Sequence, residues 1–236
     1  MPAPHEILAR ARAYPFPRPQ TSVLIDAGSV RPLQELDGSL TGGRTPVLAY
    51  GSNASPESLG WKFPEERDAV VPLVRATMRE FDVVYSAHIA VYGSVPATLQ
   101  GSPGTAAETF VAYLTEDQLE LVAAWEINAT YETIAIDLTP DVGPAPALVG
   151  AFVSRHGCLT REGAEIALAA VPARDRRFSA MTEVDVLEYV RATAAPEQPA
   201  DDFVLGNVHD YDRARALFAK LPSVPFRPSR RGDSNP

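Results

Sequence analysis

The stretch Val47-Leu48-Ala49-Tyr50-Gly51-Ser52-Asn53-Ala54-Ser55-Pro56-Glu57 runs from a strand through a turn into the start of a helix. Val47 to Ala49 is a short apolar run of the kind a buried strand makes. Gly51-Ser52-Asn53 carries turn chemistry, because Gly permits unusual backbone angles while Ser and Asn bond to nearby backbone. Ser55 is placed as an N-cap, with Pro56 at the first helical position, where a missing N–H costs nothing. A tight turn of this kind leaves backbone N–H groups unpaired beside the positive end of a helix dipole. That arrangement suits an anion, or an oxygen gaining negative charge. Read alone, Tyr50 to Asn53 is also an ordinary loop sequence, and a second feature is needed to raise it to a site.

Glu126 is that second feature. Thr115-Glu116-Asp117-Gln118 is a capping box, with Thr115 as N-cap, and the helix it opens is expected to run to Trp125 or Glu126. Leu119, Val122 and Ala123 mark an apolar stripe at spacings of three and four, and Glu126 continues it. A carboxylate on that face points inward. Burial raises a carboxyl pKa, and a Glu tuned this way takes and returns a proton near neutral pH. The plainer alternative is a Glu that ends the helix in a routine hydrogen bond.

At 236 residues with 45% apolar side chains, the chain can bury one sizeable core. A net charge of −9 argues against nucleic acid or an anionic membrane as partner. The single Cys158 excludes an internal disulfide and a cysteine-based zinc site, and is expected to be buried and structural. Four scattered His residues give no metal signature; His88 is read as structural, and Asp201, Asp202, His209 and Asp210 as solvated. The start Met1-Pro2-Ala3-Pro4-His5-Glu6 lacks the basic and apolar regions of a signal peptide, and no window is long enough for a membrane span. These readings predict a soluble cytoplasmic protein with no membrane partner; oligomeric state is left open.

Along the chain, residues 1–44 form an N-terminal extension, with a short helix over 5–13 and a strand at Val23-Leu24-Ile25. The main domain is placed at 45–156. Within it, strands are predicted at Val70-Val71, Phe81 to Tyr85, Ile89 to Tyr92, Pro96 to Leu99, Thr109 to Leu114, Tyr131 to Leu138 and Leu148 to Val153, with a turn at Gly101 to Gly104. Residues 157–221 are predicted as a helical extension packed on that domain, with helices over Arg161 to Ala170, Met181 to Thr193 and Asp210 to Leu221. The proline-rich tail 222–236 is predicted to be disordered.

Taken in order, these residues resemble the γ-glutamylcyclotransferase family, with its AIG2-like and BtrG-like branches. The match rests on Tyr50-Gly51-Ser52-Asn53, on Pro96 to Leu99 leading to Gly104, and on Trp125-Glu126 followed by Tyr131. It covers about residues 46 to 155. Ile127 stands where the family pattern has Gly, and Glu132 where many relatives carry a basic side chain. The resemblance implies an α+β fold, a compact mixed β-barrel with surrounding helices. It also implies an intramolecular aminolysis that frees 5-oxoproline and an amine or amino acid from a γ-glutamyl compound. On that basis Glu126 is the catalytic acid–base, and Tyr50, Gly51, Ser52, Asn53 and Tyr131 bind a substrate carrying a γ-glutamyl or similar carboxylate group. No cofactor and no metal are implied. The alternative is a non-catalytic module on the same scaffold, binding a small anion or a protein.

Overall fold

The computed structural model describes residues 2–26, 28–63 and 70–229. Two long strands organise it. β4 (Val71–Tyr85) and β5 (Ala97–Leu114) pair antiparallel almost end to end, and bury Met78, Val83, Tyr85, Leu99 and Phe110 between the layers. Before them come α1 (Pro4–Arg12), β1 (Val23–Asp26), β2 (Ser29–Pro32), α2 (Gly38–Thr41), β3 (Thr45–Ala49) and α3 (Pro56–Gly60). After them come α4 (Glu116–Trp125), β6 (Ala129–Ile134), β7 (Asp137–Pro140), β8 (Val149–Ser154) and β9 (Cys158–Arg161). Three helices close the chain: α5 (Glu183–Ala194), α6 (Ala200–His209) and α7 (Tyr211–Phe218).

The main sheet is mostly antiparallel. β3 lies between β5, which it meets antiparallel, and β8, which runs parallel to it through Val47 and Gly150. β6 pairs the outer side of β8, and the ladder ends there, so the predicted barrel is not closed by hydrogen bonds. The chain itself crosses the gap: from β6 it passes through Ala135 and Ile136 to β7, which pairs with the free side of β4. The result is an α+β fold with a strongly curved sheet. None of its helices is long and apolar enough to cross a membrane, among the described residues.

Several sequence expectations are corrected. The turn at Gly101 to Gly104 lies inside β5, where Ser102 to Thr105 bulge opposite Glu80. Glu80 and Gly104 both take positive φ there, and the Ser102 and Thr105 hydroxyls meet at 2.7 Å, which satisfies polar groups inside the bulge. Ile89 to Tyr92 is a loop, closed by the Ala90 and Gly93 amides donating to Ser94 and Ala90 carbonyls. The helix predicted over Arg161 to Ala170 is instead β9 and short strand pieces. Glu162 and Gly163 turn the chain back on itself at φ 54° and 83°, so that Glu165 pairs with Thr160. Helix propensity from alanines is a weak preference, and pairing with a neighbouring strand overrides it.

The N-terminal extension joins the main sheet, and the C-terminal tail joins a second, three-stranded sheet with β9. β1 pairs with Val71 to Leu73 of β4, so residues before Thr45 belong to the same core. The tail is ordered beyond Pro222: Ser223 and Val224 pair with β9, and the Gly101 amide donates to the Arg227 carbonyl at 2.9 Å. Residues 230–236 of the predicted disordered tail lie outside the described residues.

Candidate functional site

β3 ends at Ala49, and the chain enters a single 3-10 turn at Ser52–Ala54 before α3. The Ser55 hydroxyl accepts from the Ser58 amide, with Pro56 in the first turn, as an N-cap should. The turn itself is held by the Ala54 amide on Gly51 and the Ser55 amide on Ser52, and among the described residues the Ser52 and Asn53 amides have no acceptor. α3 is only five residues long, so it aligns few peptide dipoles behind this turn. Whatever polarity the turn offers comes mainly from its own amides and side chains.

α4 starts on the predicted capping box, Thr115 with Gln118, and packs Val122 inward. It stops at Trp125, leaving Glu126 as C-cap with φ −91° and ψ 45°. The side chain of Glu126 is therefore not part of a buried helical stripe. It is one-quarter exposed and looks into a cavity of about 330 Å³ whose walls include Tyr50, Gly51, Ser52 and Asn53. Asn53 Nδ2 donates to Glu126 Oε1 at 3.0 Å, across 73 residues of sequence.

Lys62 completes the arrangement. Its ammonium, on a residue that is 7% exposed, lies 3.0 Å from the same Glu126 oxygen and also donates to Asn53 Oδ1. Three side chains thus form a closed triangle: Asn53 donates to Glu126, and Lys62 donates to both. Charge-assisted bonds of this type are stronger than neutral ones and fix geometry. Both bonds to Glu126 go to Oε1, and among the described residues none reaches Oε2. Lys62 carries no mark in the sequence. It follows α3 by two residues, and nothing in its spacing separates it from a surface lysine.

Aromatic rings form part of the remaining wall. The Tyr50 hydroxyl donates to the Phe152 carbonyl, which joins the end of β3 to β8. Tyr14 accepts from the Ala97 amide at 2.7 Å and stacks on Tyr92, with ring centroids 6.3 Å apart. Burial raises the pKa of Tyr14, Tyr50 and Tyr92, and the nearby Glu126 carboxylate adds to the effect in each. All three are held as neutral phenols facing one carboxylate. Tyr131 is placed elsewhere. Its ring packs on Phe152 at 5.2 Å and covers Gly150, and it does not line the cavity.

On the cavity floor His88 is buried, its Nδ1 2.6 Å from the Ser86 hydroxyl, which in turn meets Ser154 at 2.6 Å. Burial, and then the neighbouring His156, lower the His88 pKa to about 3, so the ring is neutral in ordinary buffers. Cys158 is fully buried away from the cavity, its thiol pushed up to about 12 by burial. Among the described residues, no three His, Cys, Asp or Glu side chains gather as a metal site.

No family model matches the chain, and no curated protein does. Two of the solved structures similar to this chain are as follows. One is described as gamma-glutamyl cyclotransferase, 13% identical, covering 80% of this chain and 94% of its own, with a TM-score of 0.39. The other, described as an ensemble refinement of the crystal structure of uncharacterized protein loc79017 from Homo sapiens, is also 13% identical and covers 80% of this chain and 95% of its own, at a TM-score of 0.38. Overlaps of that size leave the function to the chemistry of the cavity.

Proposed function

We propose that this protein is an enzyme of intramolecular aminolysis, releasing 5-oxoproline and an amine or amino acid from a γ-glutamyl compound. The observation that supports this reading is the convergence of Glu126 and the Gly51-to-Asn53 turn on one cavity, tied together by the Asn53–Glu126 hydrogen bond. A proton carrier and a set of amide hydrogens on facing walls are the two elements such a reaction needs.

The steps follow from that pairing. Glu126 Oε2 takes a proton from the substrate's α-ammonium, which frees the nitrogen lone pair. The nitrogen attacks the γ-carbonyl carbon of the same molecule, an N–C bond forms, and the carbonyl electron pair moves to oxygen. Amides of the turn stabilise that oxyanion, or else hold the α-carboxylate while it forms. Collapse restores the carbonyl and breaks the bond to the leaving nitrogen, which takes the proton back from Glu126. The ring nitrogen then gives up its second proton, through Glu126, to the departing amine, so that a neutral lactam and an ammonium leave. Lys62 and Asn53 act on Glu126 as positioning residues: by occupying Oε1 they hold Oε2 toward the reacting nitrogen. The tethered nucleophile needs only to be folded into attack distance, and the small, largely aromatic cavity does that.

A panel of γ-glutamyl amines and dipeptides given to the purified protein is expected to yield 5-oxoproline. Glu126→Gln should abolish release with the circular dichroism spectrum unchanged, and Lys62→Met should slow turnover by about a hundredfold. Full activity in Glu126→Gln would remove the carboxylate from the mechanism. Ligand binding with no product from any compound would instead favour a binding module.

A further inference from the structure

The N-terminal segment enters the same cavity, bringing Arg10 with it. α1 is fastened to α6 by the Arg12–Asp201 ion pair, and to the 86–96 loop by the Ser94 hydroxyl on the Ala11 carbonyl at 2.8 Å. This places the Arg10 guanidinium 4.0 Å from the centre of the Trp61 ring, with Phe16 and Tyr92 each 5.8 Å away. Arginine laid flat on an aromatic face keeps its N–H edge free for a carboxylate. Among the described residues Arg10 has no acidic partner, whereas the cavity's other cation, Lys62, is already paired.

Two further observations bear on what Arg10 faces. Among the described residues, the charged side chains lining the cavity are Arg10, Lys62 and Glu126, which sum to one positive charge in a chain of net charge −9. Its rim is also unusually apolar: Trp61, Val91, Trp125 and Ile127, each at least 40% exposed, all border it. A γ-glutamyl amino acid carries two carboxylates and one ammonium, and balances that charge; a γ-glutamyl amine does not. Trp61 and Lys62 are adjacent in sequence, so one dipeptide sets the Arg10 group beside the Glu126 group.

We infer that Arg10 is a specificity-determining residue, which binds the carboxylate of a leaving amino acid whose apolar side chain rests on the rim of Trp61, Val91 and Trp125. The assignment rests on the cyclotransferase reading above, because it takes the ligand to be a γ-glutamyl dipeptide. It is tested by calorimetric titration of the Glu126→Gln protein with γ-glutamyl-phenylalanine, its C-terminal amide and γ-glutamyl-glycine. The acid is expected to bind about tenfold more tightly than the amide, and more tightly than the glycine compound. In Arg10→Leu/Glu126→Gln the gap between acid and amide should close, while Arg10→Lys/Glu126→Gln keeps part of it. Arg10 is exposed, so these substitutions leave the core alone. Equal binding of acid and amide, a gap that survives in Arg10→Leu, or no binding of any of the three would overturn the assignment. Product release by the unsubstituted protein separates the two ideas. Arg10-dependent binding without 5-oxoproline would sink the chemistry and leave Arg10 standing, whereas release indifferent to the terminal carboxylate would overturn Arg10 alone.

Discussion

Gly51 shows how little room the cavity wall leaves. A Cβ at that position would lie 2.5 Å from the Tyr14 hydroxyl oxygen and 3.4 Å from the Ala97 Cβ. Its φ of −107° suits other residues too, so the restriction is space and not backbone conformation. Tyr14 has a reason to be there, since its oxygen accepts the Ala97 amide at the start of β5. Gly51→Ala should push that hydroxyl off the amide and destabilise the protein by about 1–3 kcal/mol in urea titration. In a Tyr14→Phe background, where the clashing oxygen is gone, the added cost of Gly51→Ala should shrink. An unchanged cost in that background would rule out the clash. At the same scale, Glu126 was legible from the stripe of α4, but for a partly mistaken reason. The helix stops at Trp125, so Glu126 is a C-cap held by Asn53 and Lys62, and not a desolvated member of a buried face.

Elements were legible where local chemistry sets them. The capping box at Thr115 opens α4, Ser55 and Pro56 open α3, and the apolar run of Val47 to Ala49 is β3. They were illegible where pairing with distant chain decides. β5 runs through Pro103 and Gly104 because β4 continues on its flank, and the four-residue bulge absorbs what reads locally as a turn. Residues 161–170 carry alanines that favour helix, yet the backbone there is taken by strand partners, Ala167 lying opposite Val84 and Glu165 opposite Thr160. α6 is not marked locally because its cap, Pro199, gives no side-chain hydrogen bond, and its buried face of Phe203, Val204 and Asn207 includes a polar residue that breaks the apolar pattern. The cavity's aromatic half suffered the same way. Tyr14, Phe16 and Tyr92 come from a segment and a loop whose meeting no spacing announces.

Across the whole molecule, the two ends of the chain are parts of one fold: β1 extends the main sheet, α1 walls the cavity, and Arg227 in the tail pins Gln100 and Gly101. Global stability should therefore report on the buried floor where these parts meet. His88 packs there against His156 and Phe218, with ring centroids 5.0 and 5.6 Å away. Its pKa falls from 6.5 to about 3 on folding, by burial first and by His156 second, so between those values the unfolded chain binds the extra proton. The stability this neutral ring contributes is complete above pH 6.5 and lost as pH drops toward 3. The urea midpoint should fall between about pH 7 and about pH 4.5, and fall less steeply in His88→Asn. Equal slopes would place the acid sensitivity elsewhere. The central claim, that the substrate's own amine attacks its γ-carbonyl under the control of Glu126, is tested most directly by turnover of γ-glutamyl-phenylalanine in water enriched in heavy oxygen. The product, read by mass spectrometry, should be 5-oxoproline with no solvent oxygen, and should be missing in Glu126→Gln. Glutamate carrying heavy oxygen would show that water, and not the tethered amine, is the nucleophile.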